Sequence, residues 1–145
     1  MPEATDLTPL LAVLRNLVAW LKAGKVPGVV IGGLAASLLG RPRLTRDVDA
    51  LVLVDKGHWA EFLAAGAGYG FLPRRDDVLA FAKATQVLLL RHQESGIDVD
   101  IVFGWLPFDK EAVAQATWVD LGGVRTPLGA GVCCSLVDAG DCKRP

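Results

Sequence analysis

Two apolar segments each open on a pair of aspartates one residue apart, and this pattern constrains the chain more than any other. Asp47-Val48-Asp49-Ala50-Leu51-Val52-Leu53-Val54 and Asp98-Val99-Asp100-Ile101-Val102-Phe103 are rich in β-branched residues and read as strands. Residues at i and i+2 leave the same face of a strand, so each pair sets two carboxylates side by side. Charge on an apolar strand is costly unless it is paired or metal-bound. If the two strands are neighbours, three or four carboxylates converge on one patch. Hard oxygen ligands gathered in this way suit Mg2+ or Mn2+ rather than zinc. Two such ions about 3.5–4 Å apart would activate an attacking oxygen and stabilise a leaving one in phosphoryl transfer. The alternative for either pair alone is a strand end with solvated acids.

The remaining sequence supplies one domain around those strands. Of 145 residues, 52% are apolar and 21% charged, enough for a core and too apolar for a disordered chain. Apolar runs are broken by glycine or charge well short of the ~18 residues a membrane span needs. No signal peptide is read, because Glu3, Asp6 and Arg15 interrupt the N-terminal segment. The three cysteines, Cys133, Cys134 and Cys142, form neither a disulfide framework nor Cys-x-x-Cys pairs. A reducing cytoplasm is therefore the expected setting, and zinc is not expected. A net charge of −1 argues against a general nucleic-acid coat.

Helical spacing of Leu10, Leu11, Leu14, Leu17, Val18 and Leu21 predicts a helix over 8–24, capped by Thr5 or Asp6 and stopped by Gly24. A short strand over 26–31, a short helix over 34–39 and a basic loop over 41–46 follow. Residues 57–66 and 76–83 read as helices, with 69–72 a strand or turn. Strands over 86–91 and 97–103 are joined by the turn Glu94-Ser95-Gly96. A helix over 108–116 and a strand over 118–125, carrying a Gly122-Gly123 turn, complete the unit. The expected fold is therefore α/β (α+β): a small, mixed, mainly antiparallel sheet with helices packed on it. One domain spans 1–127, and 128–145 forms an irregular tail.

Gly32-Gly33, between a strand and a short helix, would let backbone N–H groups approach a phosphate chain closely. It is not a P-loop, since no Gly-Lys-Ser/Thr follows, and it lacks the three-glycine dinucleotide spacing. Ile31-Gly32-Gly33 followed after thirteen residues by Asp47-Val48-Asp49-Ala50 resembles the signature of the DNA polymerase β-type nucleotidyltransferase superfamily. The wording from Gly32 to Asp49 is most similar to the small bacterial and archaeal members, including AbiEii-type toxins. The run from Val99 to Asp109 resembles the strand that carries their third carboxylate.

That resemblance, over roughly residues 28–127, implies a nucleotidyltransferase moving an NMP from an NTP to an acceptor hydroxyl, with release of pyrophosphate. It implies Mg2+ or Mn2+ as cofactor, with Asp47, Asp49 and Asp100 catalytic and metal-binding. Asp98 is the second choice for the third carboxylate. Gly32, Gly33, Arg43, Thr45 and Arg46 would hold the nucleotide. The acceptor could be tRNA, a protein or a small molecule, and an antitoxin could be a partner. A non-catalytic nucleotide-binding or toxin–antitoxin partner-binding module is the alternative. The family's later strand, Glu-Asp-Leu helix and basic helix have no counterpart in the wording of residues 128–145. His58 and His92 lack spacing partners and are expected on the surface. Trp20, Trp59, Trp105 and Trp118 are expected in packing, with Trp105 also placed to stack on a base.

Overall fold

The computed structural model describes residues 8–31, 47–121 and 123–129. Helix α1 (Thr8–Ala23) leads into β1 (Gly28–Ile31), and β2 (Asp47–Val52) precedes a 3-10 turn (Lys56–His58). Next come α2 (Trp59–Ala67), β3 (Phe71–Pro73), α3 (Val78–Thr85), β4 (Val87–His92) and β5 (Asp98–Phe103). The last described elements are α4 (Pro107–Ala114), β6 (Thr117–Leu121) and β7 (Val124–Leu128). The strands form one seven-stranded sheet in the order β3-β4-β5-β2-β1-β7-β6. The pairs β1–β2, β3–β4, β4–β5 and β6–β7 are antiparallel, whereas β2–β5 and β1–β7 are parallel. The mixed, mainly antiparallel sheet covered by helices is as expected.

The region expected as one strand over 118–125 is instead two, β6 and β7, folded back on each other. Gly123, with φ +90, takes the left-handed backbone of the turn between them. β7 continues through Leu128, which is buried beside Val30, and Gly129 N–H donates to the Val30 carbonyl at 2.9 Å. At the end of α1 the left-handed position falls on Lys25 (φ 55), not on Gly24. Val26 N–H returns to the Leu21 carbonyl and Lys25 N–H to that of Lys22, the double closure of a Schellman motif. The expected helix over 34–39, the loop over 41–46, the capping residues Thr5 and Asp6 and the tail beyond Gly129 lie outside the described residues.

The period-2 alternation of the central strands sorts their side chains between two faces. Val48, Ala50 and Val52 of β2 and Val99, Ile101 and Phe103 of β5 pack with α1 and α2 in the main core. Trp20 is its centre: its ring stacks on Phe62 at 4.3 Å and Phe71 at 5.1 Å, and its Nε1–H donates to the Phe62 carbonyl. Gly66 of α2 lies so close that a Cβ there would sit 2.5 Å from the Trp20 ring. Alanine at a helical glycine ordinarily gains up to ~1 kcal/mol. Here the ring is wedged between two phenylalanines, and overpacking a filled core costs about 1–3 kcal/mol. Gly66→Ala should therefore destabilise the protein by a net ~1 kcal/mol, read in urea unfolding; a stabilised variant would show that the ring yields freely.

Candidate active site

The opposite face of the sheet carries the two aspartate pairs. β2 and β5 run parallel and in register, with Asp47 beside Asp98, Asp49 beside Asp100 and Leu51 beside Val102. Neighbouring strands lie about 4.8 Å apart, so the four carboxylates form the corners of one patch. Leu51 and Val102 continue the same face and are covered by Ala112 and Val113 of α4, with Val29 and Ile31 of β1. Helix α4 therefore seals the C-terminal half of this face, and the carboxylates occupy its N-terminal half. Ile31 pairs with Asp49, so β1 ends beside the acidic patch.

Two arginines enter from the other side. Arg91 of β4 stands opposite Asp98, and its Nε donates to Asp98 Oδ1 at 2.9 Å. Arg74, one residue beyond β3, takes the next ladder position, its N–H donating to the Leu89 carbonyl. From there its side chain crosses β4 to β5. Its Nη1 meets Asp98 Oδ2 at 3.0 Å and its Nη2 donates to Asp100 Oδ1. Both oxygens of Asp98 are thus held by arginine, while Asp100 gives one oxygen and keeps Oδ2 outside the pair. The Arg74 Nε is buried without a hydrogen-bond partner among the described residues.

The proton affinities of the acids follow from this asymmetry. Burial, then the charges of Asp100 and Asp47, push Asp49 up to about 6, with Arg74 pulling the other way. Burial also raises Asp100, against the opposing pull of Arg74. Asp98 lies below the usual carboxylate range, chiefly through its hydrogen bond from Arg91 and further through Arg74. Asp49 and Asp100 are therefore crowded by like charge, whereas Asp98 is already neutralised. Among the described residues no three acidic, histidine or cysteine side chains are drawn together closely enough to hold an ion as they stand.

Of the residues singled out in the sequence, Asp47, Asp49, Asp98 and Asp100 are brought together. Gly32, Gly33, Arg43, Thr45 and Arg46 lie outside the described residues. Trp105 follows the C-terminal end of β5, whereas Asp98 opens that strand. The Trp105 side chain is exposed there. Asp109 is structural: its Oδ2 accepts from the N–H groups of Trp105 and Leu106 and caps α4. His92 is not on the surface. It is 1% exposed, with Nε2 at 2.8 Å from Asn16 Oδ1 and Nδ1 at 2.8 Å from Ser95 Oγ, and burial depresses its pKa. Its ring belongs to the core beside Phe71.

Arg74 and Arg91 were not legible as site residues in the same way. Arg91 could have been found by counting back from the turn at 94–96, which sets it opposite Asp98. Arg74 has no such signal, because its position depends on a three-residue strand pairing with β4.

This sheet, with its parallel pair of Asp-x-Asp strands, is the nucleotidyltransferase fold. The chain is similar in structure to TM1012 of Thermotoga maritima, a candidate nucleotidyltransferase, with a TM-score of 0.58 at 20% identity over 88% of this chain and 81% of that one. It is similar to the lincosamide antibiotic adenylyltransferase LnuA, solved with lincomycin, with a TM-score of 0.59 at 16% identity over 95% and 89% of the two chains. It also resembles ANT(2'')-Ia, solved with adenylyl-2''-tobramycin, with a TM-score of 0.55 at 17% identity over 92% and 81%. The chain matches no protein-family model and no curated protein. Among the described residues no helix is long and apolar enough to cross a membrane.

Proposed function

We propose that the protein is a metal-dependent nucleotidyltransferase of the EC 2.7.7 type, which transfers an NMP from an NTP to an acceptor hydroxyl and releases pyrophosphate. One observation carries this reading: Asp47 and Asp49 stand in register beside Asp98 and Asp100, on a face that α4 covers only in its other half. The donor set fits Mg2+ or Mn2+, since all donors are carboxylate oxygens and the crowding that raises Asp49 is what a divalent cation relieves. Asp47, Asp49 and Asp100 would be its ligands. Asp98, with both oxygens on arginines, serves to anchor the site.

Bound there, the metal would supply charge neutralisation of the triphosphate and activation of the acceptor oxygen. Asp100, with Oδ2 outside its ion pair and its proton affinity raised, is the carboxylate best placed to receive the acceptor's proton. Gly32 and Gly33, which follow directly on β1, would cradle the phosphates, and Arg43, Thr45 and Arg46 would steady them. Positioning and charge stabilisation, without a covalent protein intermediate, account for catalysis. LnuA and ANT(2'')-Ia were solved with lincomycin and an adenylylated tobramycin. They support a small hydroxyl-bearing molecule as the acceptor ahead of tRNA or protein.

The test is label transfer from α-labelled ATP, GTP, CTP and UTP with Mg2+ or Mn2+, offered lincosamides, aminoglycosides and tRNA in parallel. Labelled product together with pyrophosphate is expected from a small-molecule acceptor. Failure of every nucleotide and acceptor to give either product overturns the enzymatic reading. A nucleotide-binding module without turnover is favoured by one observation, the grip of Arg74 on Asp100. Its signature would be metal-dependent NTP binding with no transfer.

A further inference from the structure

At the far end of the sheet from the aspartates, the ladder between β1 and β7 breaks off. Gly28 pairs with Val52, at the close of β2, whereas Asp47 and Asp49 open that strand. The parallel pairing of β1 with β7 is a single bridge, Val30 to Leu128, with Gly129 N–H on the Val30 carbonyl. Residues two apart on a strand turn their N–H groups to the same neighbour, so Pro127 takes the position that would donate next, to the Gly28 carbonyl. Proline has no N–H, and the ladder stops there. Where it stops, a cavity of about 270 Å³ opens between Pro27 and Gly28 on one side and Arg125 and Pro127 on the other. Leu21 of α1, Val113 of α4 and Trp118 of β6 give it apolar walls. Trp118 is 53% exposed, because β6 ends the sheet and no strand lies beyond it. Two cations, Lys22 and Arg125, reach the cavity, and among the described residues no carboxylate lines it. Neither cation is ion-paired among the described residues. The Arg125 guanidinium lies 6.0 Å from the Trp118 ring centroid. Asp120 faces Arg125 across the β6–β7 ladder, but its Oδ1 accepts from the Gly123 N–H of the turn.

We propose that this slot is a second ligand site, for a small carboxylate with an aromatic body. The body enters between Pro27 and Pro127 beside the Trp118 ring, and the carboxylate takes Arg125, with Lys22 as the second charge. A guanidinium fork matches the two oxygens of a carboxylate, and an indole wall favours a flat apolar partner. Apolar walls with a few polar groups at one place are the usual build of a small-molecule site, and this volume sets the occupant at the small end of that range. Two cations without an acid select an anion over a neutral or cationic molecule of the same shape. The slot shares no residue with the aspartate patch, so it stands or falls apart from the metal-dependent reading.

The experiment is isothermal titration calorimetry on the full chain, with chelator present to keep divalent ions out of the measurement. The probes are 2-naphthoate, 2-naphthylmethanol and 2-naphthylmethylammonium, one apolar body with three head groups. The naphthoate should bind saturably, one per chain, and at least about fivefold more tightly than the alcohol, with the ammonium weaker still. Lys22→Gln/Arg125→Gln should bring the naphthoate down to the affinity of the alcohol and leave the alcohol within about twofold. Trp118→Ala should weaken both by at least about threefold. All three side chains are exposed, so the variants should melt as the wild type does. No saturable naphthoate binding, equal binding of the three probes, or naphthoate binding that survives both variants overturns the site. So does a dimer in sedimentation velocity that Trp118→Ala dissociates, because a second copy of the chain then covers the slot.

Discussion

Replacing Asp47 and Asp49 together by asparagine should abolish the stabilisation that Mg2+ or Mn2+ with an NTP gives the wild-type protein. A ligand that binds only the folded state stabilises it by mass action, about 2.7 kcal/mol at a hundred times its Kd. For a domain of this size that is a rise in Tm of roughly 8–12 °C. Asn keeps the shape of Asp and removes the charge, so the β2–β5 pairing should persist while the oxygen donors become weak. The double variant should therefore melt cooperatively, with the metal–nucleotide increment gone and label transfer reduced by at least about a hundredfold. The paired-control arm matters because Mg2+ alone can move Tm by screening. An increment that survives in the double variant would place the nucleotide elsewhere and return these acids to a structural role.

The fold and site were unequally visible in the sequence, for physical reasons. The Asp-x-Asp pairs could be read directly, since a period of 2 fixes which side chains share a face before any pairing is known. That β2 and β5 are adjacent and in parallel register is a non-local fact. It depends on how the segment between them, with α2, α3 and the β3–β4 pair, packs back on the sheet. The β6–β7 hairpin differs from the single strand expected over 118–125, because a glycine turn inside an apolar run does not by itself show whether the chain bends or reverses. His92 is buried rather than on the surface, and a lone histidine on a strand carries no sign of its distant partner. Asn16 lies 76 residues earlier, on α1. Arg74 is the instructive omission. Nothing in the local wording around Pro73-Arg74-Arg75 separates the arginine that crosses to β5 from its neighbour. Arg75 stays exposed and pairs with Asp77 two residues on. Only the three-residue strand before it decides, and strands that short are specified by their neighbours rather than by their own sequence.

The same carboxylates should make the metal-free protein less stable toward neutral pH, and Asp49→Asn should remove much of that loss. Asp49 rises from 3.8 to about 6 on folding, through burial and then the charges of Asp100 and Asp47. A group whose folded pKa is raised stabilises the fold below its unfolded value, and this contribution disappears as pH climbs through the folded one. The window is therefore about pH 4 to 7, with stability falling as pH increases. Asp100 is raised as well and acts in the same direction. Asp98 is lowered, so its contribution is lost only as pH falls below the usual carboxylate range, outside this window. Arg74 is the facing cation that moderates Asp49, and it stays charged throughout. The difference between 3.8 and about 6 would correspond to about 3 kcal/mol at full weight. Because Asp49 is only partly buried, solvent screening reduces this to roughly 1–2 kcal/mol. At pH 7.5 without metal, Asp49→Asn should melt roughly 3–8 °C above wild type. The gap should close near pH 4, where Asp49 is protonated, and should reverse when Mn2+ and ATP are added, because the stabilising ligand then favours the charged site. A Tm-against-pH series on the two proteins, with chelator and with metal, reads all three limbs. Coincident metal-free curves would show that Asp49 meets no crowding in the fold, and the argument that the patch awaits a cation would lose its electrostatic basis.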